Sequence, residues 1–311
     1  MMQYRKLGRT DLEVSILGFG TAPLGNVYGT TEKSEGERAV RFAIESGINF
    51  FDSSPYYSLT LSEERLGEAL VGWRDKVVLA TKCGRYGLDA FDFSAARITA
   101  SVDESLRRLR TDRIDLFQAH DVEFGDVEQV IRETVPAMRK LQEQGKVRYI
   151  GITGYPLNTL VRIAEAVPVD TILSYSRYNL MITDMDDVLT PFAKKHGIGL
   201  INAAGLHMGI LTQDGAPAWH PAPAPVHEAA RRVAKLCRER GVDISDVAIR
   251  FCLDHPYVSS TLVGIGSEAQ VKANLKLLEF KTDPVLIDEI RSVVGPVFNH
   301  VWPSGRPENH G

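Results

Sequence analysis

The segment FDSSPYYSLTLSEERLG, residues 51–67, begins at the end of a short apolar run and carries Asp52 and Tyr57 five positions apart. The next two apolar runs along the chain are closed by Lys82 and by His120. Three successive predicted strands therefore each end in a titratable residue. If these strands are parallel neighbours in a closed barrel, the four side chains converge on the carboxyl-terminal rim, where barrel enzymes hold their active sites.

Short apolar runs alternate with amphipathic helical segments along the whole chain, which is the pattern of βα units around a parallel sheet. Eight strands are predicted, near residues 15–19, 49–51, 77–81, 114–118, 149–152, 171–173, 199–202 and 259–263. Helices are predicted at 35–46, 95–109 and 128–144, and the Pro-rich segment 215–225 is predicted to be a long surface loop. The pattern indicates an α/β fold, a (β/α)8 TIM barrel, in which residues 1–311 form a single domain.

The composition excludes several classes of protein. A net charge of −4 without long runs of one sign argues against a nucleic-acid or membrane partner. The three cysteines have no paired spacing, so neither a disulfide framework nor a metal site is expected. The first residues lack an apolar signal segment, and no apolar stretch approaches the ~18 residues of a membrane span. We expect a cytoplasmic protein whose oligomeric state the sequence does not reveal.

The residue types at the four strand ends suit hydride-transfer chemistry. A tyrosine hydroxyl has a reference pKa near ~10 and is a poor acid or base at neutral pH. An ammonium from Lys82, kept charged by Asp52, is expected to lower the pKa of Tyr57 by stabilising its phenolate. His120 is expected to bond the oxygen of the substrate, as a carbonyl reduction or an alcohol oxidation requires.

Asp52, Tyr57, Lys82 and His120, in this order, resemble the catalytic tetrad of the aldo-keto reductase superfamily. Two longer segments are similar to the same superfamily: YRKLGRTDLEVSILGFGTAPLG near the start, and VGIGSEAQVKAN later in the chain. Four other segments resemble a narrower branch of the superfamily, that of L-galactose dehydrogenase and related aldose 1-dehydrogenases: SPYYSLTLSEERLG, HDVEFG, GITGYP and HVWPSG. The resemblance implies a TIM barrel with an N-terminal hairpin and a C-terminal loop, and an oxidoreductase acting on an aldose.

The resemblance also implies where a nicotinamide cofactor binds, although no Gly-rich dinucleotide fingerprint joins a first strand to a helix. Its expected contacts lie at strand ends and in the loops after the seventh and eighth strands: Gly20, Thr21, Thr153, either Ser174 or Tyr175, Ala204, Leu206, Gly209, Leu211, Gly264, Ile265, Gly266, Ser267, Gln270 and Asn274. Members that prefer NADP usually carry a cation just after the eighth strand, where this chain has Gly266 and Glu268. NAD is therefore the expected cofactor, and NADP is disfavoured.

Two further departures concern the nicotinamide ring. Ala203 stands where many members have an aromatic residue that stacks on the ring, and Gly154 replaces the customary Asn that bonds the carboxamide. The expected substrate contacts are Tyr56, His120 and Trp302, although Trp302 could equally be a core plug. Four other histidines, His207, His220, His255 and His300, have no metal-like spacing and are expected at the surface or in loops, with His207 or His220 as a lesser alternative for lining the sugar pocket.

The sequence thus predicts NAD-dependent oxidation of the anomeric hydroxyl of a small-molecule sugar, an L-galactose-like aldose, to the lactone. One alternative is an NADPH-dependent reductase of aldehydes or ketones, which uses the same four residues in the opposite direction. Others are a pyridoxal-type dehydrogenase and a nicotinamide-sensing accessory subunit of a channel. Fold similarity alone cannot separate these alternatives.

Overall fold

A computed structural model of the chain describes residues 1–310 and shows a closed barrel of eight parallel strands. The barrel strands are β3 (Leu17–Gly20), β4 (Phe50–Asp52), β5 (Val78–Cys83), β6 (Ile114–Ala119), β7 (Val147–Gly154), β8 (Thr171–Tyr175), β9 (Gly199–Ala203) and β10 (Ser260–Gly264). They follow chain order around the barrel, and β10 closes it by pairing with β3. The predicted (β/α)8 TIM barrel is confirmed.

The expected N-terminal hairpin is also present, as β1 (Tyr4–Lys6) paired antiparallel with β2 (Glu13–Ser15). Leu7 and Leu12 from its turn, with Val14 from β2, pack against apolar side chains of the barrel interior. The hairpin thereby closes the end of the barrel at which the strands begin. The opposite end, where the strands finish, is left for polar side chains.

Eleven helical segments, labelled α1 to α11, surround the barrel: Lys33–Glu45, Leu61–Ala69, Ala95–Arg108, Val127–Gln129, Val135–Glu143, Leu157–Ala166, Met185–His196, Ala224–Glu239, Ile244–Leu253, Glu268–Lys276 and Pro284–Val294. Their apolar faces pack on the outward side chains of the strands, which form two large buried clusters around the barrel. No helix among residues 1–310 is long and apolar enough to cross a membrane.

The predicted helix at residues 128–144 is divided by a π-helical segment. This segment, Val130–Thr134, lies between α4 and α5. Pro136 follows in the first turn of α5 and has no backbone N–H to donate to the preceding turn. A local widening of the helix accommodates the missing bond, because π-bulges change the hydrogen-bond spacing without ending the helix.

Left-handed backbone conformations concentrate where the barrel strands end. Three consecutive residues after Tyr57, at positions 58–60, have φ values of 49°, 51° and 83°. Asp121, directly after His120, has φ 52°, and Ala204, directly after β9, has φ 55°. Such conformations are disfavoured for residues other than glycine and persist at functional sites, where surrounding contacts hold them. The strain marks the carboxyl-terminal rim.

Candidate active site

A buried ion pair lies at the carboxyl ends of β4 and β5. The Lys82 ammonium donates to Asp52 Oδ1 and to the Ser53 carbonyl oxygen, the latter at 2.7 Å. The second oxygen of Asp52 accepts a hydrogen bond from the Gln118 side-chain amide at 2.8 Å. The side chains of Lys82 and Asp52 are 1% and 3% exposed. Both charged groups are therefore almost entirely shielded from water, and their hydrogen-bond partners are protein groups.

Tyr57 reaches this pair from the loop between β4 and α2. Lys82 Nζ lies 3.3 Å from the Tyr57 hydroxyl oxygen and donates to it. The three left-handed residues at 58–60 turn the chain back toward α2 directly after Tyr57, and the Thr60 N–H donates to the Pro55 carbonyl at 2.9 Å. This tight turn fixes the direction in which the tyrosine ring points.

His120 completes the group from the end of β6. Its Nδ1 is 3.0 Å from Ser54 Oγ, and its ring packs edge-on against Tyr57 with centroids 5.8 Å apart. The Tyr56 ring lies 5.9 Å from the imidazole and 6.0 Å from the Tyr57 ring, so the three rings form a triangle. The structure thus brings together all four residues that the sequence singled out, with Tyr56 beside them. Nε2 of His120 is the ring nitrogen that faces away from Ser54.

Burial controls the protonation of these groups. It raises the pKa of Tyr57 well above its usual value, and the Asp52 carboxylate adds to the rise. It lowers the pKa of His120 to about 3, so the imidazole is neutral at physiological pH. The prediction that Lys82 brings the pKa of Tyr57 below ~10 is therefore wrong for the protein without ligands. Removal of water from the hydroxyl, together with the nearby carboxylates, outweighs the opposing effect of the Arg85 guanidinium on this pKa.

The loop after β10 lies against the end of β3, as the cofactor prediction requires. Gly264 is exposed and pairs with Gly20, while Ser267 caps α10 by accepting a hydrogen bond from Gln270 N at 3.2 Å. The Gln270 side-chain oxygen accepts from Gly266 N at 2.7 Å. These residues, with Asn274 one turn further along α10, form one surface beside a helix amino terminus, a position that favours anions.

Other predicted cofactor contacts already have protein partners. Thr21 Oγ1 is 2.7 Å from Ser62 Oγ, and Thr153 Oγ1 accepts from Asp121 N at 3.0 Å. The Tyr175 hydroxyl donates to Glu123 at 2.9 Å. Ser174 Oγ, by contrast, is buried with no hydrogen-bond partner among residues 1–310. Of the two alternatives at the end of β8, Ser174 thus keeps a free hydroxyl.

Three predicted contacts take part in core packing. Ile265 and Leu211 are fully buried in apolar clusters, so their side chains are not available to a ligand. Leu206 is half-buried and, with Ala204 and Gly209, belongs to the loop after β9. The cofactor contacts predicted at Leu211 and Ile265 stay predictions, and the side chains of these two residues turn inward to anchor their loops.

Trp302 also proves to be a packing residue. Its ring stacks on Tyr155 with centroids 5.2 Å apart, and His207 and His220 pack around it at 5.1 and 5.4 Å. Only 9% of its surface is exposed. Of the two interpretations of Trp302, the structure favours the core plug. The C-terminal loop is anchored to the barrel through this ring.

His207, His220 and His255 lie in loops or turns, one of the two expected locations, but all three are buried and not exposed at the surface. Each has a structural partner: His207 contacts Asn179 at 2.9 Å, His220 contacts the His207 carbonyl at 2.9 Å, and His255 contacts Asp186 at 2.6 Å. Because a ring nitrogen can bond a backbone or side-chain group, an imidazole can be buried in a loop at modest cost. No group of metal-ligating side chains occurs among the described residues 1–310.

Sequence reasoning missed Glu123, a fully buried carboxyl group three residues after His120. Its Oε1 accepts hydrogen bonds from Tyr155 N, the Tyr175 hydroxyl and Ser304 Oγ, at 3.2, 2.9 and 3.2 Å. A Cβ at position 154 would lie 2.7 Å from its Oε2. Glu123 therefore fills the space above Gly154 and ties the C-terminal loop to the rim. The only signal in the sequence was the motif HDVEFG.

Burial, and secondarily the nearby Asp121 carboxylate, raises the pKa of Glu123 to about 8. An unfolded glutamate ionises near ~4.3, so between these pH values the folded state binds the extra proton and its stability falls as pH rises. We expect Glu123→Gln to become more stable relative to wild type from pH 5 to pH 8, by a few kcal/mol at most. The measurement is the thermal midpoint against pH for both proteins. Glu128→Gln, at an exposed carboxylate, is the control, and a difference that does not vary with pH would contradict the assignment.

The comparisons with known proteins agree with this geometry. Residues 16–294 match the aldo/keto reductase family. The chain is 42% identical over 318 residues to L-galactose dehydrogenase of Arabidopsis thaliana, covering 99% of both proteins. It is 31% identical over 292 residues to D-threo-aldose 1-dehydrogenase of a Pseudomonas species, covering 85% of this chain and 89% of that protein. Its fold is similar to the holo form of an aldo-keto reductase from Bacillus halodurans, with a TM-score of 0.80, 28% identity and 100% coverage of each chain.

The closed barrel and these relatives together define an NAD(P)-dependent oxidoreductase that acts on CH–OH groups. The chain belongs to the aldo/keto reductase family. Its rim fits a nicotinamide cofactor in two respects: the exposed Gly264 beside the amino terminus of α10, and the unpartnered buried hydroxyl of Ser174. The helix amino terminus beside Gly264 suits the diphosphate of such a cofactor, and the Ser174 hydroxyl suits its carboxamide.

Proposed function

We propose that this protein oxidises the anomeric hydroxyl of an aldose, of the L-galactose type, with NAD. The proposal rests chiefly on the contact between the Tyr57 hydroxyl and the buried Lys82–Asp52 pair. The similarity to L-galactose dehydrogenase over the whole chain supports the choice of substrate. The products are the lactone and NADH, since the carbon loses a hydride and its hydroxyl loses a proton.

Each residue at the rim has a distinct part in this reaction. A bound nicotinamide supplies the hydride acceptor. Tyr57 accepts the hydroxyl proton in its phenolate form, which Lys82 stabilises from 3.3 Å. His120, neutral because of its burial, bonds the sugar oxygen through Nε2 and orients it toward Tyr57. Because burial disfavours the phenolate, oxidation is expected to be faster at alkaline pH.

Gln118 and Asp52 act on Lys82 rather than on the substrate. Gln118 holds one carboxylate oxygen of Asp52, and Lys82 donates to the other. The ammonium is thereby fixed within reach of the Tyr57 hydroxyl and cannot turn away. An ammonium at a fixed position stabilises charge at the hydroxyl without any rearrangement during the reaction.

The preference for NAD follows from carboxylates near the amino terminus of α10. Glu268 is the first residue of that helix, and its backbone N–H donates to the Glu35 carboxylate of α1 at 3.0 Å. Each of the two negative charges is already paired with a cation of its own helix, Glu268 with Lys272 and Glu35 with Arg38, so neither cation is available to a phosphate on the adenosine ribose. A cationic side chain at position 266 would have to displace Thr31, because a Cβ there would lie 2.7 Å from its Oγ1.

We expect purified protein to reduce NAD with L-galactose, and to use NAD over NADP by at least ~10-fold in kcat/KM, about 1.4 kcal/mol. The measurement is absorbance of the reduced nicotinamide with a panel of aldoses and both cofactors. Glu268→Gln should raise kcat/KM for NADP more than for NAD, because it removes one of the two charges. Glu165→Gln, an exposed carboxylate on α6, should change neither. Equal or better use of NADP by the wild type would favour the NADPH-dependent reductase.

A further inference from the structure

Two charged residues beside the tetrad have no part in the reaction described above. Arg85 lies three positions after Lys82, and Asp121 directly follows His120. The Arg85 guanidinium donates to Asp121 Oδ2, and that oxygen lies 3.6 Å from His120 Nε2. The pair is thus next to the imidazole nitrogen that faces away from Ser54.

The pair is backed by aromatic rings. The guanidinium carbon of Arg85 lies 3.9 Å above the centre of the Tyr56 ring. Phe91 and Phe124 stack on each other with centroids 4.8 Å apart, and both lie 5.2 Å from the guanidinium carbon. An ion pair flanked by aromatic faces offers polar and apolar contacts in one place.

Several features of the Arg85–Asp121 pair cost the folded protein stability. The side chains of Arg85 and Asp121 are 13% and 7% exposed, and the desolvation of such a pair offsets much of its attraction. Arg85 Nε is buried with no hydrogen-bond partner among residues 1–310. Asp121 also has a left-handed backbone, with φ 52°. Unmet bonding capacity and backbone strain at one point are expected where a ligand binds.

The chemistry of these groups matches a polyhydroxylated ligand. A carboxylate accepts from a sugar hydroxyl, a guanidinium donates to it, and the half-buried Tyr56 ring beside them adds an apolar surface. Adjacent hydroxyl oxygens of a sugar are about one hydrogen-bond length apart. If the reacting oxygen lies at His120 Nε2, its neighbour therefore falls within reach of Asp121 Oδ2, 3.6 Å away.

We propose that Arg85 and Asp121 bind the hydroxyl on the carbon next to the oxidised one, and so select sugars over simple alcohols and aldehydes. This inference rests on the aldose oxidation proposed above. A simple aldehyde has no hydroxyl there and leaves the pair unused. The pair determines specificity, while Tyr57 and His120 act on the reacting oxygen.

The test compares Asp121→Asn and Arg85→Met with wild type on three substrates: L-galactose, its 2-deoxy derivative, and a plain aromatic aldehyde reduced with NADH. Wild type should lose about 10- to 100-fold in kcat/KM when the 2-hydroxyl is absent, as sites built to bond a hydroxyl do. With L-galactose, each variant should show a similar fall in kcat/KM relative to wild type, about 10- to 100-fold, mainly through a higher KM. With the 2-deoxy sugar or the aldehyde, kcat/KM of each variant should fall much less. Arg162→Met, in the exposed pair with Glu128, is the control.

Thermal midpoints and NADH fluorescence titrations show whether each variant is folded and binds cofactor. If kcat/KM of a variant falls equally on all three substrates, the inference is overturned, since the pair would then affect the position of His120 or the stability of the fold and not the binding of one hydroxyl. Variants that match wild type on L-galactose would overturn it as well. If wild type reduces the aldehyde but oxidises no aldose, the proposed function fails and the inference fails with it. That outcome is recognised from the wild-type measurements alone.

Discussion

Tyr57→Phe is expected to lower kcat for aldose oxidation by about 10²- to 10⁴-fold, the range lost when a general acid-base group is removed. The hydroxyl contacts Lys82 Nζ, and no other group is positioned to exchange a proton with the substrate oxygen except His120, whose pKa of about 3 makes it a weak base. The ring itself remains packed edge-on against His120 at 5.8 Å. The affinity for NADH, measured by fluorescence titration, should change by less than about 3-fold, because the hydroxyl acts in the transition state.

Tyr257→Phe is the matched control. Its hydroxyl donates to the Ile198 carbonyl at 3.0 Å, next to the start of β9 and away from the rim. Removing that hydroxyl should lower the thermal midpoint slightly and leave kcat unchanged. If Tyr57→Phe retained turnover, or lost NADH binding together with turnover, the residue would be structural and a different base would be required.

Much of the barrel could be predicted because its signals are local. Apolar runs that alternate with amphipathic segments identify the strands, and parallel strands end at one edge, which brings Asp52, Lys82 and His120 together. Strand boundaries were less accurate: the strand predicted at 49–51 is Phe50–Asp52. Its end depends on the register with the neighbouring strand β5, in which Asp52 pairs with Ala80. Register is a tertiary property and is not visible in a short segment.

The errors at the site have a common physical origin. The pKa of Tyr57 depends on how completely water is excluded from the hydroxyl, and a sequence does not report depth of burial. The pairing of Arg85 with Asp121 depends on two loops that meet only in the folded protein. Gln118 could have been found, because it lies near the end of β6, two positions before His120, and side chains two apart along an extended chain share a face.

Lys82→Met is expected to abolish turnover and also to destabilise the protein. It leaves the Asp52 carboxylate buried with Gln118 as its remaining side-chain partner, and breaking a buried pair by removing one member typically costs about 3–5 kcal/mol. Burial already raises the pKa of Asp52, and loss of the ammonium that opposes this effect will raise it further. In the variant, Asp52 is therefore protonated at low pH, and the destabilisation should grow as the pH rises from about 4, where an unfolded aspartate ionises, toward the folded pKa.

The double variant Asp52→Asn/Lys82→Met separates the two effects. It removes both charges and keeps an amide of nearly the same shape opposite Gln118, so most of the lost stability should return while turnover stays abolished. Denaturant unfolding of wild type, single and double variants at pH 5 and pH 8 gives the free energies of unfolding, and the nicotinamide absorbance assay gives the activities. Recovered activity in the double variant would show that Lys82 serves only to neutralise Asp52. If instead the single variant were as stable as wild type at pH 8, the Lys82–Asp52 pair would contribute nothing to the fold, and the ammonium would be retained for its 3.3 Å contact with the Tyr57 hydroxyl alone.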